Sequence, residues 1–323
     1  MVEGASPTPG PGEALIEVRA ASLNYRDHLL AIGQYPIPGT LPEVIPTSDG
    51  AGLVKAVGAG VHRVKVGDRV TATCAPNFVE GKHQPDQHTG HFGFQHHGWL
   101  ADEILLPETA LVKIPDALSF ESAATLPCAG TTAWNALFEG GAVRPGATVL
   151  LLGTGSVSLF SLQLAKAAGA RVIVTSSSDA KLERVQGMGA DETLNYARQP
   201  DWGSAAKALT NGRGVDIVVD TVGDLAQSTT AMRFGGSIAV VGILSFFGGG
   251  SLPTINALDL IGSGAILRPT QVGSRRVLEQ MVGLYAGQNI EPVVDQVFDF
   301  SDVPSAFSKL AAGDYFGKIA VTR

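Results

Sequence analysis

Val149-Leu-Leu-Leu-Gly153-Thr-Gly155-Ser-Val-Ser158, then residues 159–169, then Arg171-Val-Ile-Val-Thr-Ser-Ser-Ser178, read as an apolar strand, a tight glycine turn, a helix and a second apolar strand. That order is the first βαβ unit of a dinucleotide-binding fold. Small residues at the turn let the backbone approach a pyrophosphate, whose charge then rests on the helix N-terminus. A Gly-x-Gly alone would carry little weight; here it closes a strand and opens a helix, which gives it meaning. Gly153, Thr154, Gly155, Ser156, Val157 and Ser158 are therefore the candidate pyrophosphate loop. Ser158 stands where a third glycine would be, which predicts a slightly wider gap between helix and strand. Ser156 replaces a glycine common in such loops, yet a serine there can still donate its hydroxyl and N–H to a phosphate.

The end of the second strand bears on which dinucleotide is bound. A site for the unphosphorylated ribose usually carries Asp or Glu about 20 residues after the first glycine. Here that stretch is Thr175-Ser176-Ser177-Ser178, with no acid before Asp179. Hydroxyls tolerate a 2′-phosphate that a carboxylate would repel, and Lys181 and Arg184 follow to neutralise it. NADP(H) is thus the expected cofactor. The competing reading is that the serines cap the next helix and Lys181 is a solvated charge.

Composition narrows the class. With 45% hydrophobic and 16% charged residues and 40 glycines, the chain fits a turn-rich α/β enzyme of two domains. A net charge of −7 provides no basic stripe for nucleic acid. Cys74 and Cys128 lie far apart without a partner pattern, which implies a reducing compartment and no thiol-based metal site. No basic segment with an apolar core opens the chain and no apolar run reaches membrane-spanning length. A soluble, cytoplasmic protein with no membrane partner is expected.

Before residue 121 the pattern is of short β-runs punctuated by glycine, suggesting a small β-barrel. Residues 74–99 are polar and rich in Gly and His, and read as a long functional loop. Beyond residue 121 helices and strands alternate. Strands are predicted at 148–152, 171–175, 192–195, 215–220, 237–241 and 264–269, forming a doubly wound parallel sheet. A helix over 275–286, a strand over 293–300, a helix over 301–310 and a strand over 317–322 follow, and this tail is expected to rejoin the first domain. The predicted division is 1–122 with 271–323 for the catalytic domain and 123–270 for the Rossmann domain.

Several segments together resemble the medium-chain dehydrogenase/reductase superfamily along nearly the whole chain. They are Ser22-Leu-Asn-Tyr-Arg-Asp27, Ser48-Asp-Gly-Ala-Gly52, Val57-Gly-Ala-Gly-Val61, Gly67-Asp-Arg-Val70, Ala123-Ala-Thr-Leu-Pro-Cys-Ala-Gly-Thr-Thr-Ala-Trp134, the Gly153 loop, Asp220-Thr-Val-Gly223 and Phe316-Gly-Lys318. The resemblance implies a GroES-like β-barrel, a Rossmann domain, an active site in the cleft between them, and a homodimer through the last Rossmann strand. Relatives usually carry further strand residues before the Pro-Gly-Pro-Gly segment; without them one barrel edge would be exposed.

Zinc-dependent members carry Cys where Asn24 stands and His-Glu where Ser48-Asp49 stands. Amide and hydroxyl oxygens are poor zinc ligands, and the four close cysteines of the structural-zinc lobe are missing from residues 80–110. The chain therefore looks like the zinc-independent branch of quinone oxidoreductases and enoyl reductases, with no metal. His83, His88, His91, His96 and His97 lie on a loop whose spacing imposes no metal geometry; one of them could donate a proton over the substrate.

Hydride transfer needs alignment at the nicotinamide and stabilisation of the charge that develops on oxygen. The resemblance points to Asn24, Tyr25, Ser48, Thr131 and Lys318 for that end; a helix-start cap with a packed aromatic explains Asn24 and Tyr25 equally well. Arg26 and Asp27 read as an ion pair. Strand carboxyl ends place Tyr196, Val222, Gly242, Ile243, Leu244, Val272, Gly273 and Ser274 on the cofactor. Phe92, Phe94, Phe246 and Phe247 suit either an apolar, aromatic carbonyl substrate or the core. The expected activity is NADPH-dependent reduction of an activated C=C bond. Alcohol–carbonyl interconversion and a nucleotide-binding scaffold without turnover are the alternatives.

Overall fold

The computed structural model describes residues 6–35, 38–82, 84, 90–242 and 254–323. They divide into two units, one of Met1–Thr131 with Val272–Arg323 and one of Thr132–Gln271.

The first unit is built on β1 (Glu13–Leu23), β2 (Asp49–Val57), β3 (Arg69–Ala72), β4 (Glu103–Pro107) and β5 (Leu111–Lys113). Residues of β1 alternate so that Ala14, Ile16 and Val18 face a core with Val54, Val70, Ile104 and Leu106. Trp99 fills that core against β2, and a Cβ on Gly50 would stand 2.2 Å from its indole, so only glycine fits there. The described part of the 74–99 segment is thus better anchored than its polar composition suggests. Phe92, Phe94 and Trp99 are 3%, 0% and 0% exposed. Phe92 and Phe94 are buried in the first unit, as the core alternative expects.

The second unit is the doubly wound sheet. Its strands are β6 (Thr148–Leu152), β7 (Arg171–Ser176), β8 (Glu192–Asn195), β9 (Val215–Asp220), β10 (Met232–Val240) and β11 (Ile266–Pro269). They stand in the order β11-β10-β9-β6-β7-β8, parallel throughout. Every residue of β6 and β9 is buried, as central parallel strands covered on both faces require. The order reverses beside β6, so the carboxyl end of β6 is the switch point where ligands bind. β11 begins at Ile266 because Gly264 takes a left-handed conformation that ends the helix Ala257–Ser263.

The tail returns to the first unit. β12 (Val294–Asp299) pairs parallel with β13 (Lys318–Thr322), which pairs antiparallel with Ala20–Leu23 of β1. β1 is thereby an inner strand, flanked by β2 on one side and by β4 and β13 on the other; the sheet ends at β12 and β5.

Residues 123–131 stand with the first unit rather than the Rossmann unit. Cys128 N–H donates to Asp49 (3.2 Å), and Gly273 N–H donates to the Thr131 hydroxyl (2.9 Å), tying this helical run to β2 and to the returning tail. Among the described residues no helix is long and apolar enough to cross a membrane.

Candidate active site

The Gly153 loop has the geometry its sequence predicts. Gly153 has φ +75°, and a Cβ on Gly153 or Gly155 would meet nothing within 4 Å. The space over the turn is open for a group brought close to the backbone. Gly155 caps the helix Ser156–Ala167, whose first-turn N–H groups have no intrahelical acceptor. Those of Ser156, Val157 and Ser158 are the natural anion contacts. Thr154 is buried beside them. The buried Ser158 hydroxyl donates to Leu152 C=O (2.7 Å), bridging helix and strand where a third glycine would stand.

At the end of β7 the Ser176 hydroxyl accepts from Ser178 N–H (3.2 Å), and Ser178 caps the helix Asp179–Gly187 by accepting from Lys181 N–H (3.4 Å). The capping alternative therefore holds for Ser178. Ser177 remains exposed. The nearest acid, Asp179, is engaged by Asn195 Nδ2 (2.7 Å) and by the Arg198 guanidinium. Arg198 was missed in the sequence because it follows β8, distant from the serines along the chain. It adds a cation to the expected Lys181 and Arg184.

Tyr196 and Val222 are each 42% exposed at the ends of β8 and β9. The buried Asp220 carboxylate shapes the latter turn, accepting from Val222 N–H (3.0 Å), Gly223 N–H (2.6 Å) and Ser228 Oγ (2.8 Å). Gly242 passes so near Thr221 that a Cβ would lie 1.9 Å from its carbonyl oxygen. Ile243, Leu244, Phe246, Phe247, His83 and His88 lie outside the described residues. Val272, Gly273 and Ser274 belong to the first unit and are engaged there. Val272 packs beside Cys74, Gly273 N–H binds Thr131, and Ser274 caps the helix Arg275–Gln288. Thr131 itself is fully buried and donates to Pro127 C=O (2.5 Å), so its hydroxyl clasps two chain segments.

The first unit holds a buried polar cluster. Gly317 has φ +93°, and a Cβ there would lie 2.4 Å from Val293 C=O. This turn starts β13 with Lys318 directed inward, 1% exposed. Its ammonium donates to Leu23 C=O (2.7 Å) and Asn24 Oδ1 (2.8 Å) and lies 3.7 Å from the Asp49 carboxylate. An ammonium has only donors, so it fixes the Asn24 amide with its oxygen toward Lys318 and its NH2 away. That Nδ2, buried, has no acceptor within hydrogen-bond distance, although it is near enough to Asp49 to favour its charge. Burial raises the pKa of Asp49, opposed chiefly by the Lys318 charge.

Ser48 donates to Asp49 (2.8 Å) and accepts from Arg26. Arg26 also stacks over Phe94, 4.9 Å from the ring centre, while Asp27 accepts from Asn24 N–H (2.7 Å). The expected Arg26–Asp27 ion pair thus gives way to separate partners. Burial pushes Asp27 up to about 6, against the Arg26 charge. Tyr25 is half-buried, its ring 5.8 Å from that of His28. Among the loop histidines, His91 is near enough to Cys74 to favour its thiolate, whereas His97 Nδ1 accepts from Ile45 N–H (3.1 Å). Cys74 and Cys128, far apart in sequence, meet beside Asp49.

Comparison with known proteins places this arrangement. Residues 10–116 match the alcohol dehydrogenase GroES-like domain, and residues 156–287 match the zinc-binding dehydrogenase domain. A zinc-type alcohol dehydrogenase-like protein of Schizosaccharomyces pombe is 40% identical over 96% of this chain and 91% of its own. The chain belongs to the medium-chain dehydrogenase/reductase superfamily. A quinone oxidoreductase of Pseudomonas aeruginosa is 32% identical over 94% of this chain and 89% of its own. A solved NAD-dependent alcohol dehydrogenase superposes with a TM-score of 0.90 at 32% identity, over all of this chain and 95% of that one.

Members of the superfamily are oxidoreductases that use nicotinamide cofactors, and the open Gly153 turn fits such a dinucleotide. The zinc-dependent members raise a second question. At the two positions where those relatives resemble this chain but carry ligands, zinc does not fit. Asn24 Oδ1 is taken by an ammonium, and the Ser48 oxygen by a guanidinium. A protein cation already stands beside the buried carboxylate.

Proposed function

We propose that this medium-chain reductase uses NADPH to reduce an activated C=C bond in a small apolar or aromatic enone, quinone or enoyl compound. The bound nicotinamide would supply hydride to the β-carbon. The developing enolate oxygen would be held by the Asn24 amide, and a proton from solvent would complete the reduction. Lys318 orients that amide, and Asp49 and Asp27 hold the surrounding cations and backbone in place. A cytoplasmic setting with reduced nicotinamide at hand belongs to the same reading.

The observation that carries the cofactor assignment is the end of β7, where Ser176 and Ser177 stand without a free carboxylate and Arg198 neutralises Asp179. The solved NAD-dependent relative shares the fold, and fold does not set this choice. Calorimetric titration is expected to show NADPH binding at least tenfold tighter than NADH, about 1.4 kcal/mol. Replacing Lys181 and Arg198 together by alanine should erase most of that preference, because it removes two cations and frees the Asp179 carboxylate. Equal affinities in the wild-type protein would refute the NADPH assignment.

The names of two relatives favour a second reading, interconversion of an alcohol and a carbonyl. Turnover of simple alcohols with NADP+, and none of enones with NADPH, would select it.

We also infer a homodimer through β11, the outer strand of the Rossmann sheet. Leu258, Ile261 and Ile266 beside that edge are 75%, 74% and 55% exposed, an apolar group that suits a second copy. Light scattering should give a dimer, and the Leu258→Asp, Ile261→Asp double variant a monomer. A monomeric wild-type protein would remove the inference.

A further inference from the structure

We propose that Cys74 and Cys128 form an oxidisable thiol pair, a modification site that hydrogen peroxide converts reversibly to an intramolecular disulfide. The two sulfurs lie within 4.8 Å of each other, and their thiols share a hydrogen bond. They are the only cysteines of the chain, so no third thiol of the same molecule competes for either sulfur. In the reducing compartment that the sequence implies, a disulfide of this kind is transient and redox-sensing rather than structural.

The fold gives the two sulfurs different surroundings. Cys74 follows β3 and is 0% exposed. Cys128 is half-buried in a π-helical turn, Leu126–Gly130. Such wide turns interrupt ordinary helices and frequently accompany functional sites. Here the turn holds Cys128 N–H on Asp49 (3.2 Å) and places Pro127 C=O 4.0 Å from the Cys74 sulfur. Ala75, Phe78 and Val272 pack around the pair. A small, uncharged oxidant can reach Cys128, whereas Cys74 is closed to solvent. The bond from Cys128 favours the Cys74 thiolate, helped by His91 and the Arg26 charge; the same bond and burial hold Cys128 as the thiol. The accessible sulfur therefore has a proton acceptor already in place, and the buried one is its resolving partner.

In the first step the Cys128 proton passes along the existing bond to Cys74 while the Cys128 sulfur attacks a peroxide oxygen. The O–O bond breaks, hydroxide leaves and Cys128 becomes a sulfenic acid. The Cys74 sulfur then attacks the sulfenic sulfur; its proton goes to the departing hydroxide, water leaves and the S–S bond forms. Two electrons pass from the thiol pair to the peroxide, and an external thiol reverses the change. The site does not depend on the proposed reductase activity, and its test reads no turnover.

The test treats the reduced full-length protein with a small excess of hydrogen peroxide, then reads intact mass and maps peptides without reductant. The wild-type protein should lose two hydrogens at its cysteines, give a crosslinked peptide pair containing Cys74 and Cys128, and regain both thiols with dithiothreitol. Cys74→Ser should instead stop with one oxygen on Cys128, trapped by dimedone as the sulfenic acid. Cys128→Ser should leave Cys74 unmodified until the protein is unfolded. The wild-type measurement needs no variant to fold. Two thiols that persist under peroxide, a sulfinic acid on one cysteine with the other still free, or a disulfide formed only between two copies would each overturn the proposal.

Discussion

Replacing Lys318 by methionine is expected to destabilise the protein by about 3–5 kcal/mol, because it leaves the Asp49 carboxylate buried without its cation. Two further acceptors, Leu23 C=O and Asn24 Oδ1, lose their donor in the same step. The variant has one escape. Burial already raises the pKa of Asp49, and without Lys318 it rises further, so the carboxyl takes up a proton. A folded pKa above the unfolded one means that the native state binds the extra proton. The deficit should therefore be largest at neutral pH and shrink as pH falls through the raised pKa. Urea unfolding across that range checks both size and sign. Asp49→Asn in the Lys318→Met background should recover part of the loss. Lys318→Arg should not restore the wild-type value, since a planar fork does not fit where a point charge makes these contacts. A loss below about 1 kcal/mol at neutral pH would mean that the cluster is solvated in solution.

The Rossmann half was legible because its signal is local. β6 is apolar at every position but Thr148, β9 carries a run of three apolar residues between its two aspartates, and the Gly153 turn lies between β6 and a helix. Periodicity and turn chemistry suffice for that. The buried cluster was legible only as a set of candidates. Lys318 meets Asn24 across 294 positions of sequence, and no local pattern states which of its atoms touch what. Cys74 and Cys128 carried no ligand spacing, since their proximity is made by β3 and a π-turn rather than by a shared motif. Arg198 was invisible for a similar reason, because it reaches Asp179 from the far side of β8. Thr131 was placed by family position and Val272, Gly273 and Ser274 by the end of the last Rossmann strand, and the fold engages them in packing and capping.

Replacing Asn24 by aspartate separates the chemical role of this residue from its structural one. If the amide NH2 holds the developing oxyanion, its removal should lower kcat by about 10²–10³-fold, the usual effect of losing one such donor. Asn24→Ala would confound that loss with another, because Lys318 would also lose the acceptor 2.8 Å from its ammonium. Aspartate keeps an oxygen for Lys318 and nearly the same shape, yet when ionised it has no proton to donate. Asn24→Asp should therefore remain folded and bind NADPH as tightly as the wild type. Its turnover of an enone or quinone should still fall by the full factor, with little change in KM if the contact forms chiefly in the transition state. The new charge is the competing explanation for lost activity, since a second carboxylate would stand near Asp49. Asn24→Gln offers a check on it, restoring a neutral donor one methylene further out. Partial recovery by glutamine, with none by aspartate, assigns the effect to the N–H. Near wild-type turnover in Asn24→Asp would instead leave the buried NH2 as a packing feature and require a different group to stabilise the oxyanion.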